Sequence, residues 1–390
     1  MAMRSLPGTP SWLGATNDQK ALALLLEHGP LTRNQLGELS QLSKPTAAQM
    51  VQRLETAGLI EAIGEVAGTR GPSSTVYAVR HSRALGVAID IQPEVTRSVV
   101  VDAVGNEYPI AENTHPREGT PAADELTEAI AAACDAAGID RGAVSEVVVG
   151  VQAAVNEATG DLSFTDDMPG WPRMDVVTAL SDELGIRVSL WNDVNVAAVA
   201  ERAVGAGEEL GSFALFWVGN GLGVAFDVAG QILPGAVGGA GEIGYLAAPR
   251  DAISIDPEAT ELQDLISGEA IARIARGHGI SGGRFDDVLD QIADSPERDV
   301  VLDRIAERIA LGVAPVLAVL DPEAVVLGGP VGVMGGQYLA DAVCAAVETR
   351  TRWRPRIVST AVSGAPVLAG AACVLREHLT QALIRAVRTH

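Results

Sequence analysis

The sequence predicts an α/β protein in which an N-terminal winged helix-turn-helix precedes a two-lobed α/β body. Three observations carry that prediction. Residues 16–79 run in the order helix, short helix, helix, hairpin. Residues 187–201 read as an apolar strand, a polar break that holds Asp193, and a helix with alanine and valine at helical spacing. Residues 213–227 place the glycine cluster Gly219-Asn220-Gly221-Leu222-Gly223 between two apolar runs. A carboxylate at a strand-to-helix junction is rigidly held and can face a cleft, so the chain is organised around Asp193.

Residues 1–15 contain Pro7, Gly8, Pro10 and Gly14 and are expected to form an arm. A helix follows from Thr16, with Leu22, Leu25 and Leu26 on one face and Gly29-Pro30 as its stop. Thr32 is placed to cap a second helix ending at Ser40, with Leu36 and Leu39 pointing inward. Ser43 caps a third helix, and Pro45 fits its first turn because no hydrogen bond is lost there. Ala47, Met50, Val51 and Leu54 recur as one buried stripe, and Gly58 ends the helix. Strands at 59–66 and 74–79 flank a turn-rich segment and complete residues 16–80 as a winged head. The third helix would expose Lys44, Thr46, Ala48, Gln49, Gln52 and Arg53 toward a major groove. Gln49, Gln52 and Thr46 suit base edges; Lys44 and Arg53 suit phosphates. Arg70 at the hairpin tip suits the minor groove or the flanking backbone. A small packing module, or a winged helix used for protein contacts, is the plainer alternative.

From residue 81 strands and polar turns alternate with helices. Strands are expected at 85–91, 97–101, 107–112, 144–151 and 188–191, with helices at 122–137, 174–184 and 194–205, giving a first lobe over 81–210. The second lobe, 211–390, has expected strands at 213–218, 223–228, 324–327 and 357–359. Its helices are expected near 262–276, 285–294, 296–319 with a break or kink at Pro315, 338–348 and 367–385. The last helix is free to return to the first lobe.

The formal net charge of −22 disfavours a broad polyanion-binding surface. The imbalance is local, however: residues 1–90 hold 8 Lys or Arg against 7 Asp or Glu, so a neutral head precedes an acidic body that DNA would repel. Cys134, Cys344 and Cys373 lie far apart in apolar helical contexts and read as free thiols without a disulfide framework. Neither a signal peptide in the first residues nor a membrane span is expected, which points to a cytoplasmic location.

Specific runs then carry a family resemblance. Ser43-Lys44-Pro45-Thr46, Arg53-Leu54, Ala57-Gly58-Leu59-Ile60 and Thr69-Arg70-Gly71-Pro72-Ser73 resemble the head of ROK-family transcriptional regulators, and the body resembles the ROK fold of bacterial sugar kinases in the actin-like ATPase (ribonuclease H-like) superfamily. The resemblance implies roles residue by residue. Asp193, in Asn192-Asp193-Val194-Asn195, is similar to the catalytic base, and Asp90 to the metal-associated aspartate of the first phosphate loop. That loop is altered: Gln92 replaces a glycine needed for close approach, Pro93 removes an N–H, and Glu94 adds negative charge. The second loop keeps Gly219, Gly221 and Gly223 but has Asn220 where the kinases generally have threonine; strand turns also use glycine. Asn192, Asp193 and Glu242 match the family's sugar contacts, whereas Tyr245 stands for a histidine, Gln263 for a glutamate and Asp167 for an asparagine. With Tyr245 in that place and no Cys or His from 248 to 265, a structural zinc is not expected. Asp193 and Glu242 also have a bland alternative as caps and loop ties, and Trp171 and Trp191 suit a core as well as a sugar platform.

The expectation is a DNA-binding transcriptional regulator, a repressor, whose kinase-like cleft senses a carbohydrate without catalysis. Asp193 would then be a vestigial base, with no cofactor and no metal. Its partners would be double-stranded operator DNA, a sugar-like effector and a second copy or three further copies of the chain, with no membrane. A sugar kinase with a regulatory head and a ligand-independent DNA-bound platform are the competing expectations.

Overall fold

The computed structural model describes residues 10–68, 71–114, 119–165 and 168–387. In the head, α1 (Pro10–His28) starts earlier than the expected Thr16. Pro10 lies in its first turn, where a missing N–H costs nothing, so the arm expected over 1–15 is helical from residue 10. Then come β1 (Leu31–Thr32), α2 (Arg33–Ser40), α3 (Lys44–Thr56), β2 (Ile60–Gly68) and β3 (Gly71–Val79). Thr32 and Gln35 form a reciprocal capping box on α2, and the Ser43 hydroxyl accepts from Thr46 N on α3. The stripe of α2 that turns inward is Leu36, Gly37 and Ser40, and this leaves Leu39 44% exposed, contrary to its expected inward direction. The head sheet has the antiparallel order β1-β3-β2.

The first lobe comprises β4 (Leu85–Ile91), β5 (Val95–Asp102), β6 (Ala111–Thr114), α4 (Ala122–Ala137), β7 (Val144–Val151), the small pair β8 (Ala154–Val155) and β9 (Leu162–Ser163), α5 (Val176–Leu184), β10 (Arg187–Asn192) and α6 (Asp193–Val204). The second comprises β11 (Ser212–Val218), β12 (Leu222–Val228), β13 (Gln231–Ile232), α7 (Leu262–Ile266), α8 (Gly268–Gly277), α9 (Phe285–Ala293), α10 (Arg298–Leu320), β14 (Ala324–Gly328), α11 (Gly329–Arg350), β15 (Ile357–Ser359) and α12 (Pro366–Ala386). The two main sheets repeat one plan: β10-β7-β4-β5-β6 in the first lobe and β13-β12-β11-β14-β15 in the second. In each an antiparallel meander of three strands continues into two parallel ones. Every residue of β4 and of β14 is buried, which explains their unbroken apolar runs.

Three helical expectations change. The 262–276 helix is two, α7 and α8, divided at Ser267, whose backbone is extended. Helix α11 starts at Gly329, directly after the β14 turn, and its irregularity falls at Gly336, with φ +54°. Helix α10 continues through Pro315 without ending. Helix α12 is long and apolar enough to cross a membrane by length and composition. Here it crosses back to the first lobe, where Leu375 and Ala371 are fully buried and Gly370 meets the backbone of Val196 on α6. Its far end packs with α1: Leu379, Leu383 and Val387 share one core with Ala21, Leu22 and Leu25, and Gln19 Nε2 donates to Ile384 O at 2.9 Å.

Candidate functional site

Strand β10 ends at Asn192 and α6 begins at Asp193, so the backbone fixes the direction of both side chains. Asn192 is the N-cap. Its Oδ1 accepts from Asn195 N at 2.9 Å and its Nδ2 donates to Ala153 O at 3.2 Å. The capping role weighed for Asp193 therefore belongs to its neighbour, and Asn192, expected to bind ligand, has both amide atoms engaged. Asp193 is 8% exposed and its Oδ1 accepts from Val194 N at 2.8 Å. Burial, with Asp90 and Glu242 adding negative charge, pushes its carboxyl up to about 7 against the lowering effect of Val194 N. Glu242 is raised as well, by burial. Three carboxylates thus converge on one cleft.

Asp90 ends no strand. It sits within β4, 2% exposed, and faces a built arrangement. Gln92 Nε2 donates to Asp90 Oδ1 at 2.7 Å, Gln152 Nε2 donates to Gln92 Oε1 at 2.7 Å, and Arg97 Nη1 lies 3.9 Å from Asp90 Oδ2. The parallel register explains the relay: Asp90 pairs with Gly150, so Gln92 and Gln152 fall opposite each other two residues on. Gln152 and Arg97 are site residues that sequence reasoning left unassigned; the β4–β7 register is the signal that would have found the first. With one Asp90 oxygen on an amide and the other toward a guanidinium, the donor set does not fit a resident metal ion. Among the described residues no group of three His, Cys, Asp or Glu side chains is placed to hold one.

The second lobe closes the site through glycines. Gly223 packs on Val194, where a Cβ would come 2.9 Å from Cγ2, and this sets the Gly219–Gly223 turn beside the start of α6. Asn220 O accepts from Gly268 N at 3.1 Å, so the turn also rests on the start of α8. Gly329, at φ +75°, lies against the Val218 carbonyl and starts α11 next to Gly219. Gly238 sits on the Val155 backbone of the first lobe, and Gly241, at φ +91°, sits on Val224 O, which fixes the backbone leading into Glu242. Gln263 Oε1 lies beside Gly244. Tyr245 is 41% exposed and packs on Phe164, ring centroids 5.0 Å apart. The 250–261 loop is held by hydrogen bonds: Ala248 N donates to Thr260 O, and Asp264 Oδ2 accepts from Thr260 N and Glu261 N, which lowers its carboxyl. Trp171 belongs to the first-lobe core and donates to Glu125 at 3.1 Å. Trp191 instead lines a cavity of about 350 Å³ with Asn192, Asn195 and Gln231. Asp167 lies outside the described residues.

On the head, Lys44, Gln49 and Gln52 are exposed on α3, while Thr46 and Ala48 are half-buried and the Thr46 hydroxyl bonds that of Ser43 at 2.8 Å. Arg53, expected to suit a phosphate, is exposed but donates its Nε and Nη2 to the two oxygens of Asp18 at 2.8 and 2.6 Å. Arg70 lies outside the described residues.

Comparison with known proteins bears on both parts. The ROK family model matches residues 87–375 and a MarR family model matches residues 20–71. A glucokinase from Halalkalibacterium halodurans is 30% identical over 190 residues, 44% of this chain and 57% of that protein. A putative xylose repressor from Caldicellulosiruptor sp. is 20% identical over 355 residues, 86% of this chain and 88% of that protein. The chain spans 62% of the length of a Clostridium perfringens relative, again less than two thirds. Among solved structures, a ROK family transcriptional regulator described as a homolog of the E. coli MLC protein superposes with TM-score 0.69 at 19% identity, over 97% of this chain and 99% of that one. A ROK family glucokinase from Streptomyces griseus, in complex with glucose and AMPPNP, gives TM-score 0.62 at 22% identity over 75% and 99%. Likeness at these identities establishes the two-lobed fold. The expectation that the chain is not an enzyme is overturned: sugar kinases recur among the relatives and structures, including glucokinases at 30% and 23% identity.

Proposed function

This chain belongs to the ROK family, and from that membership we propose that its cleft binds a sugar and phosphorylates it with ATP, while the winged head ties the body to DNA. The observation that carries the reading is Asp193, a buried carboxyl at a strand-to-helix junction pushed up to about 7. A base tuned near working pH is half ionised there and still strong enough to take a hydroxyl proton. In this reaction the sugar oxygen bonds the γ-phosphorus, its proton passes to Asp193, and ADP leaves. Glu242 and Gln263 flank the acceptor and orient it, with Tyr245 and Phe164 covering one side. The Gly219–Gly223 turn and the start of α11 offer backbone N–H groups to the nucleotide phosphates. Phosphorylation of a hexose panel with Mg-ATP, lost in Asp193→Asn, is the test; no turnover by wild type on any hexose ends this reading.

A second reading is favoured by the Gln152–Gln92–Asp90 relay together with Pro93, which removes an N–H from the phosphate loop and weakens the hold on ATP. In it, the head binds operator DNA as a repressor and sugar occupancy alters that affinity, because the sugar binds one lobe arrangement better than another. A cytoplasmic homodimer or homotetramer is the matching assembly, since paired heads read paired half-sites. Duplex binding at fixed salt with and without each hexose checks it; intact DNA binding that no sugar changes removes it.

A further inference from the structure

We propose that Arg53 is a positioning residue of the head and not a DNA-phosphate contact, because the Asp18 carboxylate of α1 takes the Nε–Nη2 edge of its guanidinium and neutralises its charge. This rests on the DNA-binding reading of the head. Nε donates to Oδ2 at 2.8 Å and Nη2 to Oδ1 at 2.6 Å, the two-pronged geometry by which arginine also grips phosphate. The pair is asymmetric in burial: the Arg53 side chain is 45% exposed and that of Asp18 is 9% exposed. Turning Arg53 out to DNA would strand a nearly buried carboxylate without its counter-charge, which is costly, while a surface phosphate can be neutralised by solvent ions. The exchange therefore runs against DNA.

Two consequences follow from the geometry. With Arg53 withdrawn, Lys44 is the one cation that α3 offers to the backbone, and base-edge contact falls to the exposed amides of Gln49 and Gln52, which suit adenine. The pair also pins the reading helix to α1, and α1 is docked on α12 of the body through Leu22, Leu25 and the Gln19 to Ile384 hydrogen bond. Asp18 and Arg53 thereby set the angle at which α3 meets a groove.

The experiment is a salt titration of DNA affinity for the full chain, using a random-sequence duplex pool and a duplex selected from it by the wild type. Lys44→Ala serves as the phosphate-contact reference and should reduce the log–log salt slope by about 0.9. Arg53→Ala should leave that slope unchanged and lose affinity for the selected duplex, and Asp18→Asn should reproduce the same loss. The double variant Asp18→Asn with Arg53→Gln, a neutral hydrogen-bonded pair, should restore part of the selective affinity and covers the case in which a single variant unfolds. A slope reduced by about 0.9 in Arg53→Ala, or tighter binding with a steeper slope in Asp18→Asn, overturns the proposal while leaving the DNA-binding reading in place. Absence of duplex binding by the wild type removes that reading, and this proposal with it.

Discussion

Replacing Asp193 by asparagine should make the protein more stable, and increasingly so as pH rises. The carboxyl is 8% exposed and is raised from an ordinary 3.8 to about 7 by burial first, then by Asp90 and Glu242. A carboxyl whose folded value lies above its unfolded value binds its proton more tightly in the folded state, so stability falls as pH climbs from about 4 to about 7 and the penalty is complete above that. At about 1.4 kcal/mol per pH unit, that interval corresponds to at most about 4 kcal/mol. Protein interiors respond with an effective dielectric nearer 20 than 4, so about 2 kcal/mol is the working figure. Asparagine keeps the shape and the Val194 N partner but carries no charge. Urea unfolding of both proteins at pH 5 and pH 8, with unchanged m-values, should show the advantage of Asp193→Asn widening toward pH 8. The same variant should lose sugar phosphorylation, the usual exchange of stability for a charged functional group. A stability gap that stays constant with pH, or narrows, refutes the claim that the burial of this carboxyl is what raises it.

Three further outcomes are expected. The rate of sugar phosphorylation under limiting substrate should rise with pH through about 7 and then level, following ionisation of Asp193; a profile flat from pH 5.5 to 8.5 assigns the proton to another group. Arg202→Met should destabilise the second lobe by about 3–5 kcal/mol in urea titrations, because it strands Asp227, fully buried and held by two guanidinium hydrogen bonds. Gly329→Ala should cost more than about 2 kcal/mol and weaken nucleotide binding measured by calorimetry, since it forces a side chain into φ +75° and a Cβ to 2.5 Å from Val218 O.

Much of the fold was readable because local rules and burial agree along most of the chain. Strands 85–91, 144–151 and 357–359 and the helix at 122–137 have the bounds that apolar runs and punctuation imply. Caps were readable too: Thr32 and Ser43 hold α2 and α3 through side-chain oxygens whose chemistry is local. Reading went wrong where one residue had two permitted environments. Leu39 is as apolar as Leu36, and only the docking of a two-turn helix decides which of them is covered. The start of α11 was missed because glycines argue for a turn, and here a turn and a helix begin at the same residues.

By itself the sequence determined the order of elements, the caps, the neutral head on an acidic body and the placement of Asp193 where a strand yields to a helix. Those depend on spacing, charge and the preferences of single residues, all of which are present in the linear chain. Tertiary structure decided which side chains are free. It gave Arg53 to Asp18, and it brought Gln152 to Gln92 across sixty residues. It also buried Asp193 and set Asp90 and Glu242 near it, which together raise that carboxyl to about 7. A hydrogen bond or a charge interaction depends on distances in space, and those exist only after two lobes and a returning C-terminal helix have packed.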